Sequence, residues 1–175
     1  MNVETERLIL REILPTDVDA LFELDSDPEV HRYVGQRPVT GKDEIVAVIN
    51  FIRQQYTDNG IGRWAVTDKR TNEVLGWAGL KWVTETTNGH KDYYDLGYRL
   101  IRRFWGKGIA SEAAFAALAY AFRELQAAEV YAMANTANTA SNRILQKIGL
   151  TQQGSFIDDG APHIWYRITR LEFEQ

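Results

Sequence analysis

The chain of 175 residues contains no cysteine. That absence excludes disulfides, a thiol nucleophile, cysteine-ligated zinc, iron–sulfur clusters and an acyl-cysteine intermediate. Proline is scarce, at four residues, and no low-complexity tract interrupts the chain, so it is read as one domain over residues 1–175. No stretch approaches the roughly 18 apolar residues that a membrane span requires. The opening Met-Asn-Val-Glu-Thr-Glu-Arg is too charged for a secretory signal, and the expectation is a cytoplasmic protein with no membrane partner. Cationic charge is also in deficit: 20 Lys and Arg face 24 Asp and Glu, a formal net charge of −4, which argues against a nucleic-acid partner. His31, His90 and His163 lie far apart without metal-ligand spacing, so no metal is expected.

What is present is ordinary globular composition, 45% hydrophobic and 25% charged. A domain of this length buries roughly 70% of its unfolded surface without needing staples. Arg7–Ile13 alternates and ends before Pro15, which predicts a strand, and Thr16 with Asp19 predicts the start of a helix. Thr40 and Asp43 repeat that capping spacing ahead of Ile45, Val48, Ile49 and Ile52, an apolar stripe of helical period. Arg63–Thr67 and Val74–Val83 read as a hairpin around the polar turn Asp68–Glu73, and Tyr93–Ile101 as a further strand. An Ala-rich helix is predicted over Ser111–Leu125, then a strand at Val130–Ala134, a helix at Asn138–Ile148 closed by Gly149, and strands at Thr151–Phe156 and His163–Phe173. The predicted class is mixed α/β, with helices flanking a mostly antiparallel sheet.

The most informative stretch is the junction at Gly106-Lys-Gly-Ile-Ala110. Small residues where a strand turns into a helix leave backbone N–H groups uncovered, and the helix N-terminus adds partial positive charge, so a phosphate suits the spot. Arg99, Arg102, Arg103 and Lys107 crowd this junction in an otherwise acidic chain. The alternative is a plain tight turn with a solvated basic face. A Walker loop is excluded by the spacing, and a dinucleotide fingerprint by the lack of βαβ repeats.

Trp105-Gly-Lys-Gly-Ile-Ala-Ser-Glu-Ala113 resembles the acetyl-CoA loop of the Gcn5-related N-acetyltransferases (GNAT), whose pattern is Gln/Arg-x-x-Gly-x-Gly/Ala. The preferred register puts Trp105, Gly108 and Ala110 on that pattern, and a competing one puts Arg103, Gly106 and Gly108 there. The surrounding residues are similar to the RimJ/RimL-like branch of the family. Thr5-Glu-Arg-Leu-Ile-Leu-Arg11, Asp27-Pro-Glu-Val-His-Arg-Tyr33, Asp95-Leu-Gly-Tyr98 and Asn138-Thr-Ala-Ser-Asn-Arg-Ile-Leu-Gln-Lys-Ile-Gly-Leu150 follow that branch's motifs in order. The resemblance implies a sheet splayed between its fourth and fifth strands, with the pantetheine of acetyl-CoA lying in the gap. Backbone groups of Arg99, Leu100 and Ile101 would pair with it. Gly106, Lys107, Gly108, Ile109, Ala110 and Ser111 would hold the pyrophosphate, with Asn138 completing the cofactor set.

The same resemblance implies direct transfer of an acetyl group to a primary amine, either a small molecule or a protein N-terminus, in a ternary complex. A homodimer is compatible with it. The position at which many relatives carry a proton-donating Tyr is Leu145 here, which leaves Ser141 as the carried-over candidate, with capping of the helix as the alternative role for Asn138 and Ser141. The position that some relatives fill with Glu is Met133. Asp95 is the first choice for a base, Glu85 and Asp92 follow, and a water chain without a dedicated base is the alternative. Tyr33, Trp77 and Trp82 are expected to line the acceptor cleft or, alternatively, to pack in the core. A non-catalytic acyl-CoA-binding domain is the rival reading of the whole chain.

Overall fold

The computed structural model describes residues 2–175. Two short strands, β1 (Asn2–Glu4) and β2 (Leu8–Glu12), lead through a 3-10 turn to helices α1 (Val18–Asp25) and α2 (Lys42–Asn59). Strands β3 (Arg63–Asp68), β4 (Val74–Val83) and β5 (Tyr93–Leu100) follow as a meander. Helix α3 (Ile109–Arg123) then crosses to β6 (Glu129–Asn135), and α4 (Thr139–Lys147), β7 (Thr151–Asp158), β8 (Ala161–Thr169) and α5 (Arg170–Glu174) complete the chain. The eight strands form one sheet in the order β1-β2-β3-β4-β5-β6-β8-β7. All neighbours are antiparallel except β5 and β6, which are parallel and therefore need the α3 crossover between them. The pairing of β5 with β6 is confined to Asp95 and Tyr131, beyond which the strands part. This is the expected splay. The added edge strand β1, too short for the sequence pattern to show, makes these strands the fifth and sixth.

Period-two alternation sorts the strand residues onto two faces. Trp64, Val66, Ala78, Leu80, Leu96 and Leu100 pack against Ala113, Ala114, Ala117, Leu118 and Ala121 of α3. The alanines let the helix axis approach the sheet closely. Ala65 and Trp77, one step out of phase, face the other way and meet Leu21 and Leu24 of α1 and Ile45, Ile49 and Ile52 of α2. Past the splay this second face carries an aromatic cluster: Tyr93, Tyr131 and Trp165 pack together, and His90 stacks on Trp165 at 5.1 Å.

Several predicted boundaries move for identifiable reasons. Helix α2 starts at Lys42, because Glu44 rather than Asp43 reaches back, accepting hydrogen bonds from the amides of Thr40 and Gly41 (2.8 and 3.1 Å). Helix α3 starts two residues earlier than predicted, directly after Gly108. The final strand stops at Thr169, where Thr169 and Glu172 form a capping box that turns the chain into α5.

Gly76 sets how closely β4 can approach the end of β5. Its φ is +151°, and a Cβ there would lie 2.2 Å from the carbonyl oxygen of Arg99. Gly76→Ala is therefore expected to destabilise the fold by about 3 kcal/mol or more. In a thermal unfolding experiment the melting temperature should fall by roughly 6–12 °C.

Candidate active site

After β5 the chain makes a 3-10 turn over Arg102–Phe104 and then reaches Gly106 and Gly108, with φ of +73° and +74°. These left-handed values favour glycine. The loop is exposed, and space is open where a Cβ of Gly106 would stand. Gly108, the N-cap of α3, supplies no side-chain cap, so the first amides of the helix face outward with the positive end of its dipole. That is an anion cradle in form, and the residues present fit a pyrophosphate.

The cradle is fastened from below by the opening Thr-Glu-Arg segment. Arg7 donates from Nη1 to the Lys107 carbonyl at 2.8 Å and from Nε to Glu112 Oε2 at 2.6 Å. The Thr5 hydroxyl and the Arg7 amide both donate to Glu112 Oε1. Two of the four basic residues at the junction are engaged elsewhere: Arg103 pairs with Glu23 and Glu73, and Arg99 with Asp25. Lys107 and Arg102 remain at the loop, Arg102 reaching Asp27 only at 3.9 Å.

The resemblance implies pantetheine pairing along residues 99–101, where the structure commits some of the backbone. Ile101 gives its N–H to the Leu75 carbonyl on β4, and the Leu100 carbonyl accepts from the Trp105 indole, both at 2.9 Å. Trp105 thus braces the strand end instead of offering a polar contact to phosphate.

Across the parting strands stands α4. Asn138 caps it, its Oδ1 accepting from the Ser141 amide at 3.2 Å, and Asn142 ties the preceding turn by donating to the carbonyls of Asn135 and Asn138. Ser141 Oγ lies 2.9 Å and the Ser141 carbonyl oxygen 3.1 Å from the hydroxyl of Tyr98, whose one hydrogen can go to either. Burial pushes the Tyr98 phenol up to about 12, against the lowering effect of its Ser141 hydrogen bond, so it keeps its proton at neutral pH. Leu145 is in the core. Tyr98 closes the Asp95-Leu-Gly-Tyr98 motif, and its hydroxyl reaches α4 only in the folded chain. No spacing rule connects positions 98 and 141.

On the other face, Asp95 accepts from Arg63 Nη2 at 2.5 Å, while Arg63 Nη1 donates to the carbonyls of Gly79 and Asp95. Gly97 leaves room for this guanidinium, since a Cβ there would lie 2.8 Å from Nη2. Asp95 is thus engaged in joining β3, β4 and β5. Arg63 and Arg99 both lie near the Trp77 ring, with centroid distances of 5.3 and 5.2 Å. Trp77 lines a cleft of about 290 Å³ between the sheet and α2, whose walls also include Asp25, His31, Phe51, Gln55 and Arg99.

Trp82 is not in this cleft. Its alternation puts it on the α3 face, edge-on to Tyr94 at 4.8 Å. Tyr33 is half-buried beneath the Arg32 guanidinium and is not in the cleft wall. Of the other carboxylates considered, Glu85 pairs with Lys81 at 3.7 Å and Asp92 sits in an exposed turn. Among the described residues no group of three or more His, Cys, Asp or Glu could hold a metal ion, and no helix is long and apolar enough to cross a membrane.

A sheet parted beside a glycine loop and a helix N-terminus leaves an open groove that ends in an anion cradle. Residues 7–151 match the family described as "Acetyltransferase (GNAT) domain". The chain is 32% identical over 152 residues to the "Uncharacterized N-acetyltransferase YoaA" of Bacillus subtilis, covering 87% of this chain and 84% of that one. It is 33% identical to the "FsC-acetyl coenzyme A-N(2)-transacetylase" of Aspergillus fumigatus, covering 98% and 77%. In fold it matches the ribosomal L7/L12 alpha-N-protein acetyltransferase RimL in complex with coenzyme A, with a TM-score of 0.81, 19% identity and coverage of 97% and 98%. The chain belongs to the GNAT acetyltransferase family and is an acetyltransferase.

Glu112 carries a testable consequence. Burial pushes its carboxyl up, but hydrogen bonds from Thr5 and Arg7, with the Arg7 charge, outweigh this and hold it below the usual carboxylate range. A depressed carboxylate stabilises the fold fully above its unfolded value, about 4.3, and loses that contribution as pH falls through the folded value. The melting-temperature difference between wild type and Glu112→Gln should be present at pH 7 and shrink as the pH drops below about 4. Acetyl-CoA affinity of the variant, measured by calorimetry at pH 7, should fall severalfold.

Proposed function

We propose that the protein transfers the acetyl group of acetyl-CoA to a primary amine directly, in a ternary complex. One observation carries this reading: two openings adjoin the same stretch of β5, the strand gap beside Tyr98 and Leu100 and the α2 cleft beside Arg99. Because neighbouring residues of a strand face opposite ways, β5 can border both openings at once. A chain without cysteine fits transfer without an acyl-enzyme.

Acetyl-CoA, when bound, supplies an activated acetyl thioester. The amides from Gly106 to Ser111, with Lys107, would hold the pyrophosphate at the head of α3, and Asn138 would keep the start of α4 in place. Ser141 would hold a proton at the side of the gap: Tyr98 has one hydrogen for two acceptors, and when it goes to Ser141 Oγ instead of the Ser141 carbonyl, the serine hydrogen is free to turn inward. Trp77 would form part of the acceptor wall.

For the acceptor, the Aspergillus relative is named for transfer to an N(2) nitrogen and the RimL structure for transfer to a protein α-amine. Their shared chemistry, a primary amine, is the acceptor proposed here. The work is proposed to take place in the cytoplasm.

Gly108→Glu would put bulk and negative charge at the cradle, and its acetyl-CoA Kd in calorimetry should rise at least about tenfold, some 1.4 kcal/mol. Unchanged affinity would mean that the cradle is not the cofactor site. Ser141→Ala should lower kcat about 10- to 100-fold while leaving acetyl-CoA affinity within about twofold, because the lost hydrogen bond acts on charge that develops during the reaction. Steady-state kinetics at saturating amine, beside calorimetry, separates this outcome from a capping role, in which kcat would hold.

A further inference from the structure

His31 follows α1 in the segment leading to α2, and only 7% of its surface is exposed. Its Nε2 lies 3.0 Å from Asp25 Oδ1, the same oxygen that accepts Arg99 Nη1 at 2.6 Å. A carboxylate only accepts hydrogen bonds, so Nε2 carries a hydrogen, and in the neutral ring Nδ1 keeps its lone pair. That Nδ1 is buried and has no partner. Gln55 Oε1, on the same cleft, is also buried without one. Buried polar atoms are seldom left unpaired. Both orphans are hydrogen-bond acceptors on residues that line one cleft beside Trp77. Such acceptors call for an N–H donor, and a protonated primary amine carries three.

We propose that His31 is the base that takes the proton from the acceptor amine, with Asp25 and Arg99 as positioning residues; this rests on the acetyl-transfer reading above. An N–H bond of the ammonium breaks, its electron pair stays on the amine nitrogen, and the proton goes to Nδ1 directly or through one water. The imidazolium formed is held by the Asp25 carboxylate. His31 then returns the proton to solvent. Arg99 links this dyad to the strand that borders the cofactor gap, which fixes the base relative to the transferred group.

The charged groups of the cleft come from four elements. Asp25 ends α1, Arg63 is on β3, Lys81 on β4 and Arg99 on β5, whereas α2 offers only uncharged Gln55 and apolar side chains. Each of the three cations has a carboxylate partner: Arg63 pairs with Asp95, Lys81 with Glu85 and Arg99 with Asp25. Asp95, the other base considered, already has its carboxylate held by Arg63.

The test is His31→Gln, whose amide can still donate to Asp25 but offers no basic nitrogen. With an alkyl diamine, an amino sugar and a short peptide as acceptors, kcat at pH 7 and saturating amine should fall on the order of 100-fold. The loss should shrink as rising pH supplies free amine, while acetyl-CoA affinity stays within about twofold. Independently of turnover, nitrogen NMR of 15N-histidine-labelled protein should show His31 protonated at Nε2 and bare at Nδ1, a preference weakened in Asp25→Asn. Wild-type kcat in His31→Gln overturns the inference, as does a protonated Nδ1, or loss of the acid limb of the pH profile in Asp95→Asn but not in His31→Gln. If His31→Gln fails to bind acetyl-CoA through misfolding, the NMR result decides. A wild-type protein that binds acetyl-CoA yet releases no CoA with any amine overturns the acetyl-transfer reading and this inference with it.

Discussion

Beyond Asp95 and Tyr131, no paired backbone register holds β5 to β6, and the rest of the molecule is arranged around that parting. An unpaired strand edge inside a protein exposes N–H and C=O groups that need other partners. Here side chains take part of the load: the Trp105 indole covers the Leu100 carbonyl, and Tyr98 reaches the first turn of α4. On the far side Asn142, whose Oδ1 accepts from the Tyr166 hydroxyl at 2.6 Å, ties the β6–α4 turn by donating to the carbonyls of Asn135 and Asn138. The opening is thus built and braced from both sides.

Strand β5 serves two sites because its side chains alternate. Tyr98 and Leu100 turn toward α3 and α4, while Asp95, Gly97 and Arg99 turn toward the α2 cleft. Each of the latter has a defined task there. Asp95 and Gly97 together accommodate Arg63, one by charge and one by lacking a Cβ, and Arg99 holds Asp25. Asp25 and Arg99 are mostly buried, at 10% and 23% side-chain exposure. Removing one partner of such a pair leaves an uncompensated charge, which costs more than the intact pair contributes. The geometry around the cleft is for that reason stiff.

The glycine loop at Gly106–Gly108 depends on the first strands in a comparable way. Its two left-handed glycines give no rigidity of their own, and the firmness comes from Arg7 gripping Lys107 and Glu112 from the first strand connection. Thr5 and Arg7, part of the opening motif, therefore act on a loop about a hundred positions away in sequence.

Much of the fold was legible because its signals are local. The alternation at Arg63–Thr67 and Val74–Val83, the Ala-rich helical period after Gly108 and the Asn138 cap each follow from contacts between near neighbours in the chain. The loop at Gly106–Ser111 could be read as an anion cradle for the same reason: glycines and a helix start are adjacent in sequence. Short β1 and the final turn into α5 were missed, since three residues carry no period and Thr169–Glu172 looks like a strand's end until Glu172 folds back. What only the tertiary structure decided is which side chains meet. Trp77 and Trp82 look equivalent along the strand, yet an odd separation sends them to opposite faces. His31 looks isolated in sequence and acquires its Asp25–Arg99 partners through packing of α1 on the sheet, and Tyr98 meets Ser141 across 43 positions. Spacing along the chain encodes periodicity and caps, but the pairing of distant side chains is set by how the faces pack.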